Sequence, residues 1–197
     1  MIYFTSDTHF GHANVIRFVG RPWRTIEQMD AALVASINAR VDMRDELWIL
    51  GDFSYRLGRD EALAIRQSIT CRRVHFVPGN HDRNWAVPEL EGALPGWSRP
   101  SPRSSTRATG SSARTTPSWT GSMRRGSIQL HGHIHSRPEY NERSRGRRLF
   151  RYDVGVGRHG YRPVSIEEVM AFFDGVESGG RVNWCEWDEP LAAEEER

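Results

Sequence analysis

Glu46-Leu47-Trp48-Ile49-Leu50-Gly51-Asp52 is a short, almost wholly apolar run that stops at a glycine and an aspartate. Its length and composition predict a buried strand with Asp52 at its C-terminal end. The same construction occurs on both sides of it. Ile2-Tyr3-Phe4-Thr5 runs into Ser6-Asp7-Thr8-His9, and Arg73-Val74-His75-Phe76-Val77 runs into Pro78-Gly79-Asn80-His81-Asp82. Three strands each deliver polar side chains just past their last apolar residue.

Helical patterns separate these strands. Thr25-Ile26-Glu27-Gln28 has capping-box form, and Ile26, Met29, Leu33 and Ile37 recur at spacings of three and four, which predicts a helix over 26–40. A second helix is expected over 59–69. Strand and helix in alternation describe an α/β layered domain, in which ligands bind outside the carboxyl ends of the strands. The three polar turns should therefore converge on one rim. Further on, 127–130 and 149–156 are expected strands, and Ser165-Ile166-Glu167-Glu168 is a second capping box that should open a helix reaching about Phe173.

The chain has 197 residues and a net charge of +2, which suits one domain and implies no strong field toward polyanions. A single domain is expected over 1–185, followed by an acidic tail at 186–197. Cys71 and Cys185 are the two cysteines and have no metal-knuckle spacing, so a reducing compartment is expected. With no export signal and no long apolar run, the expected location is cytoplasmic, away from membranes. All 27 basic residues are Arg, a bias that points to a gene rich in G and C.

One stretch breaks the pattern. Between Leu94 and Ile128 there is no Val, Ile, Leu, Phe or Tyr and no acidic residue. Such a composition is expected to give the core neither strand nor helix. This stretch admits three accounts: a basic arm for nucleic acid carrying Arg99, Arg103, Arg107, Arg114, Arg124 and Arg125; or, over about 86–123, a flexible or disordered insert or a segment translated out of frame. In the third, shifting the frame of suitable codons for Arg114-Thr115-Thr116-Pro117 turns them into His-Tyr-Pro.

Asp7-Thr8-His9, Gly51-Asp52, Gly79-Asn80-His81-Asp82 and Gly132-His133-Ile134-His135 all place oxygen or nitrogen ligands after strands. Taken singly, each is more commonly a turn. Together they predict a centre for Mn, Fe, Zn, Ni or Co rather than Ca or a thiolate-bound ion. The order D-x-H, G-D, G-N-H-[DE], G-H-x-H resembles the calcineurin-like metallophosphoesterases, in the form of a small member without a cap domain. The resemblance covers residues 1–92 and 127–173.

That resemblance implies a four-layer αββα sandwich and two divalent metal ions, with manganese favoured. One ion would be held by Asp7, His9, Asp52 and His135. The other would be held by Asp52, Asn80, His133 and one more histidine. A water between the ions would attack phosphorus, His81 would protonate the leaving group, and Asp82 would orient the His81 ring. His12 and Asn14 are candidates to touch the substrate phosphate.

The family's remaining histidine is missing, because no His occurs between His81 and His131, so a weak second site is expected. His131 and His75 are expected to pack, and Arg17 and Arg21 to be solvated. The expected partner is a small phosphate ester. The alternatives are an impaired or non-catalytic scaffold of the same fold, and a nuclease that uses the Arg-rich segment.

Overall fold

Ile2–Thr5 (β1), Glu46–Leu50 (β2) and Arg73–Val77 (β3) form where the sequence predicts and lie side by side in parallel. Ile2 pairs with Glu46 and Glu46 with Arg73, so the three strands end level and their polar turns share one edge. This computed structural model describes residues 1–86 and 128–177 in full, together with the backbone of three strands between them.

Those three are Trp97–Ser98 (β4), Thr106–Thr109 (β5) and Ser118–Gly121 (β6). They correct the expectation that this stretch supplies no strand. A ladder needs only backbone N–H and C=O groups, so a chain without large aliphatic residues can still pair. The rest of 87–127 and the tail after 177 lie outside the described residues, as do the calls made on them.

Two sheets result. The first has the order β4-β3-β2-β1-β9, where β9, Val164–Ser165, is antiparallel to β1. The second has the order β5-β6-β7-β8, with Gln129–His131 as β7 and Arg151–Asp153 as β8, this last pair parallel. The strand expected over 149–156 is shorter because Gly155 leads into a 3₁₀ turn at Val156–Arg158.

The helices are Ala13–Phe18 (α1), Ile26–Arg40 (α2), Arg59–Ser68 (α3), Tyr140–Gly146 (α4) and Ile166–Phe172 (α5). Thr25 Oγ1 caps α2 by accepting from Gln28 N, while Gln28 reaches back to Arg24 N rather than to Thr25. At α5 the capping box closes fully between Ser165 and Glu168.

Because strand side chains alternate, each face of the first sheet has its own core. Leu47, Ile49, Val74 and Phe76 join Met29, Leu33 and Ile37 of α2 in one cluster. Phe4, Trp48, Leu50 and Val77 join Leu130 and Tyr152 of the second sheet, with Val169 and Phe173 at α5, in the other. A helical layer, a sheet and a second sheet are thereby stacked. Among the described residues no helix is long and apolar enough to cross a membrane.

Candidate metal centre

At the level ends of β1 and β2 the two turns are stitched by backbone hydrogen bonds, Asp7 N to Gly51 O at 3.2 Å and His9 N to Asp52 O at 2.9 Å. Beyond them the chain bends sharply. Asp7, His9, Asp52, His133 and His135 all have positive φ, between 41° and 76°. Non-glycine residues seldom adopt this region, and such strain gathers at functional sites. Five of the six predicted metal ligands are held this way.

Asp7, His9 and His135 present ligand atoms that all lie within 4.8 Å of one another. The His9 and His135 rings stack with centroids 5.1 Å apart. Burial, reinforced by neighbouring cations, pushes His9 well below the usual imidazole range and His135 down to about 4. Both rings are therefore neutral at physiological pH, the state in which an imidazole is a ligand.

Burial, and then the Asp52 charge, raises Asp7 to about 8, although Ser6 Oγ donates to it at 2.7 Å and His133 N at 2.8 Å. Asp52 is buried too, which works against its charge. A hydrogen bond from His133 Nδ1 at 3.0 Å, the charges of His133 and His81 and the bond from His81 N together outweigh this and hold Asp52 low, and the His133 contact in turn raises His133. Asp52 also accepts from His81 N at 3.2 Å, so it joins the His133 turn to the Asn80-His81-Asp82 turn.

The donor set fits a divalent cation. Carboxylates crowded out of water next to neutral imidazoles are offset by positive charge placed between them. Asn80 supplies a further sign: its Oδ1 is buried with no hydrogen-bond donor among the described residues, a costly arrangement for an amide oxygen unless something binds it.

Two glycines make this closeness possible. A Cβ on Gly79 would sit 2.2 Å from Asp52 Oδ1, and one on Gly132 would sit 2.0 Å from Ser6 Oγ and 2.5 Å from Asp7 Oδ2. Neither position has room for a side chain.

Some predicted residues have other work. Asp82 does not reach the His81 ring. Its carboxylate accepts from Gly79 N at 2.8 Å, Ser54 N at 3.1 Å and Phe53 N at 3.3 Å, so it fixes the turn backbone beneath the site. Arg21, expected in solvent, is buried and donates to Asp7 O at 2.6 Å and Thr8 O at 2.7 Å. It clamps the first turn from below.

Arg17 and Asn14 are exposed on α1. His131 packs, with Tyr140 Oη 3.0 Å from its Nε2, and His75 stacks on Trp48 and meets Glu46.

His12 lies near the centre with its ring stacked on Tyr55 at 3.8 Å. The edge of Tyr55 faces His81 at 5.2 Å, and His81 faces His9 at 5.3 Å. Tyr55, Arg21 and Asp153 were not among the predicted site residues. Asp153 is buried behind the centre, accepting from Ser136 Oγ and Gly155 N. No motif spacing marks these three, since each is brought in by folding.

The family model described as calcineurin-like phosphoesterase matches residues 1–153. An uncharacterized protein of Methanocaldococcus jannaschii is 36% identical over 84 residues, which is 42% of this chain and 47% of that protein; the chain spans about half the length of this curated relative. The crystal structure of a protein of unknown function from Aquifex aeolicus superposes with a TM-score of 0.55, covering 87% of this chain and 98% of that one at 18% identity. This last likeness concerns the fold alone.

Proposed function

We propose, from the premise that the chain belongs to the calcineurin-like phosphoesterases, that it is a metal-dependent hydrolase of small phosphate mono- or diesters. The observation that carries this is the convergence of Asp7, His9 and His135 at one point, beside Asp52 tied to His133 and the buried, unpartnered Asn80 Oδ1.

Asp7, His9, Asp52 and His135 would hold one ion, and Asp52, Asn80 and His133 a second. Bound there, the ions supply charge neutralisation and an acidified water. The protein's own groups do the rest. Arg21 and Asp82 fix the backbone of the turns that carry the ligands. His81, half-buried beside His9, is the group that gives a proton from its ring to the leaving oxygen. His12, braced by Tyr55, and Asn14 line the approach for the phosphate oxygens. We extend the three stacked layers to the full αββα sandwich, favour manganese, and place the protein in the cytoplasm, where Cys71, free and buried, stays reduced.

A second assignment has its own support. With no His between His81 and His131, the second ion lacks a ligand, which favours a weakly dinuclear, slower enzyme or a scaffold. Elemental analysis of purified protein together with manganese-stimulated hydrolysis of a chromogenic phosphodiester decides between them. Activity lost in Asp52→Ala and His81→Ala establishes the enzyme. Absence of turnover with every divalent ion tried, in protein that still binds one, establishes the scaffold.

A further inference from the structure

One cleft opens at the ligand cluster and shares a side chain, Arg158, with a second. The first, about 250 Å³, has Asp7 and His135 in its wall together with Arg158 and Tyr161. The second, about 310 Å³, is walled by Arg158 again, with Arg40, Arg162 and Glu168. Arg40 is engaged there, paired with Glu168 and lying over the Tyr3 ring.

Arg158 differs. Among the described residues its guanidinium has no hydrogen-bond or ion-pair acceptor. The main chain that carries it is nevertheless fixed. Val156 N donates to Ser6 O at 3.1 Å, Ser6 and Gly155 form a parallel bridge, Arg158 N donates to Gly155 O at 2.9 Å, and Tyr161 N donates to Val156 O at 2.8 Å. The turn carrying Arg158 is thus bonded to the strand end carrying Asp7, which keeps the Arg158 main chain beside the ligand cluster.

The other charges in the first cleft are committed. Arg21 is spent on the Asp7 and Thr8 carbonyls, and Asp153 accepts from Ser136 and Gly155. Among the described residues that leaves Arg158 as the uncommitted charge lining the same cleft as Asp7 and His135.

We propose that the first cleft is an anion subsite: a substrate whose scissile phosphoryl group lies at Asp7 and His135 sets a second phosphate against Arg158. The inference rests on the phosphoesterase reading above and narrows it to small molecules bearing two phosphate groups. A cleft of about 250 Å³ is just under the ~300–1,000 Å³ typical of ligand pockets, enough for a phosphate and a short linker. A guanidinium suits a phosphate because its fork of donors matches the phosphate oxygens.

The test compares glycerol bisphosphate with glycerol phosphate on the manganese-loaded protein. Binding is measured by calorimetry in a His81→Ala background, where turnover is slowed, and kcat/KM for phosphate release is measured with His81 present. The bisphosphate should bind about tenfold more tightly than the monophosphate, the scale of a charge-assisted pair of hydrogen bonds. Arg158→Gln should abolish that advantage, Arg158→Lys should restore part of it, and Arg17→Gln, which removes an exposed charge elsewhere, should keep it. Equal binding of the two esters, no binding of the bisphosphate, or an advantage that survives in Arg158→Gln overturns the subsite. If the bisphosphate binds through Arg158 but neither ester is ever hydrolysed, the subsite stands and the phosphoesterase reading fails.

Discussion

His9 Nε2 and His135 Nε2 stand 3.2 Å apart, at the meeting point of two turns that are 126 residues apart in sequence. Burial holds both rings neutral there, the state in which an imidazole can bind a metal; under the proposed reading they are ligands. His135→Ala should therefore remove about one bound ion per chain by elemental analysis. Its affinity loss should exceed the roughly 10–100-fold that follows removal of a merely supporting residue. Circular dichroism should stay unchanged, because the His135 side chain lies outside both hydrophobic clusters.

Arg21 is predicted to matter for stability as much as for metal binding. Two of its guanidinium contacts satisfy the carbonyls of Asp7 and Thr8 in a buried place, and a hydrogen bond to a charged group is worth about 1.5–3 kcal/mol. Arg21→Met should cost on the order of 3 kcal/mol by this measure. For a chain of this size that is a fall in Tm of roughly 6–12 °C, read by thermal denaturation in chelator. Arg21→Lys, a point charge with no fork, should recover only part of it.

Gly132→Ala offers a cleaner separation of site from fold. The added methyl collides with Ser6 Oγ and Asp7 Oδ2, so Asp7 has to move while the apolar cores keep their residues. Metal content and phosphodiester hydrolysis should fall at least about tenfold, equivalent to ~1.4 kcal/mol, with a smaller change in denaturant midpoint. Normal activity in this variant would remove Asp7 from the ligand set.

Asp30 gives a pH dependence away from the ligands. It accepts from Gly11 N, and burial raises its carboxyl to about 6 despite that bond. The folded protein holds this proton more tightly than the unfolded chain, so the stabilising contribution is complete below the ordinary carboxylate range. It is lost as pH rises through about 6. Asp30→Asn should flatten that slope. Above pH 7 it should raise stability by on the order of 1 kcal/mol, discounted for partial exposure, or about 2–4 °C in Tm.

The three units of strand and polar turn were legible because β1, β2 and β3 are local apolar runs, and each occurs where its own residues place it. The α2 helix was legible for the same reason, with periodicity and cap in one short window. Arg21 was not, since nothing in a sequence distinguishes a guanidinium that folds under two carbonyls from one that faces water. Asp82 was misread because proximity along the chain suggested its His81 neighbour, whereas the acceptor geometry favours three backbone N–H groups around the turn. The strands β4 to β6 were missed because side-chain composition carries no record of backbone pairing.

The left-handed backbone at Asp7, His9, Asp52, His133 and His135 also limits what these positions can become. Apart from glycine, the side chains that tolerate such φ values best are Asn, Asp and His, all of them oxygen or nitrogen donors. Most single changes at these positions therefore either leave a donor in place or pay in backbone strain, whether or not catalysis is under selection. Under the proposed reading, a descendant that lost its activity would shed the ligands mainly through glycine. Its ancestry would stay visible in the bends of its main chain long after the ligands had gone.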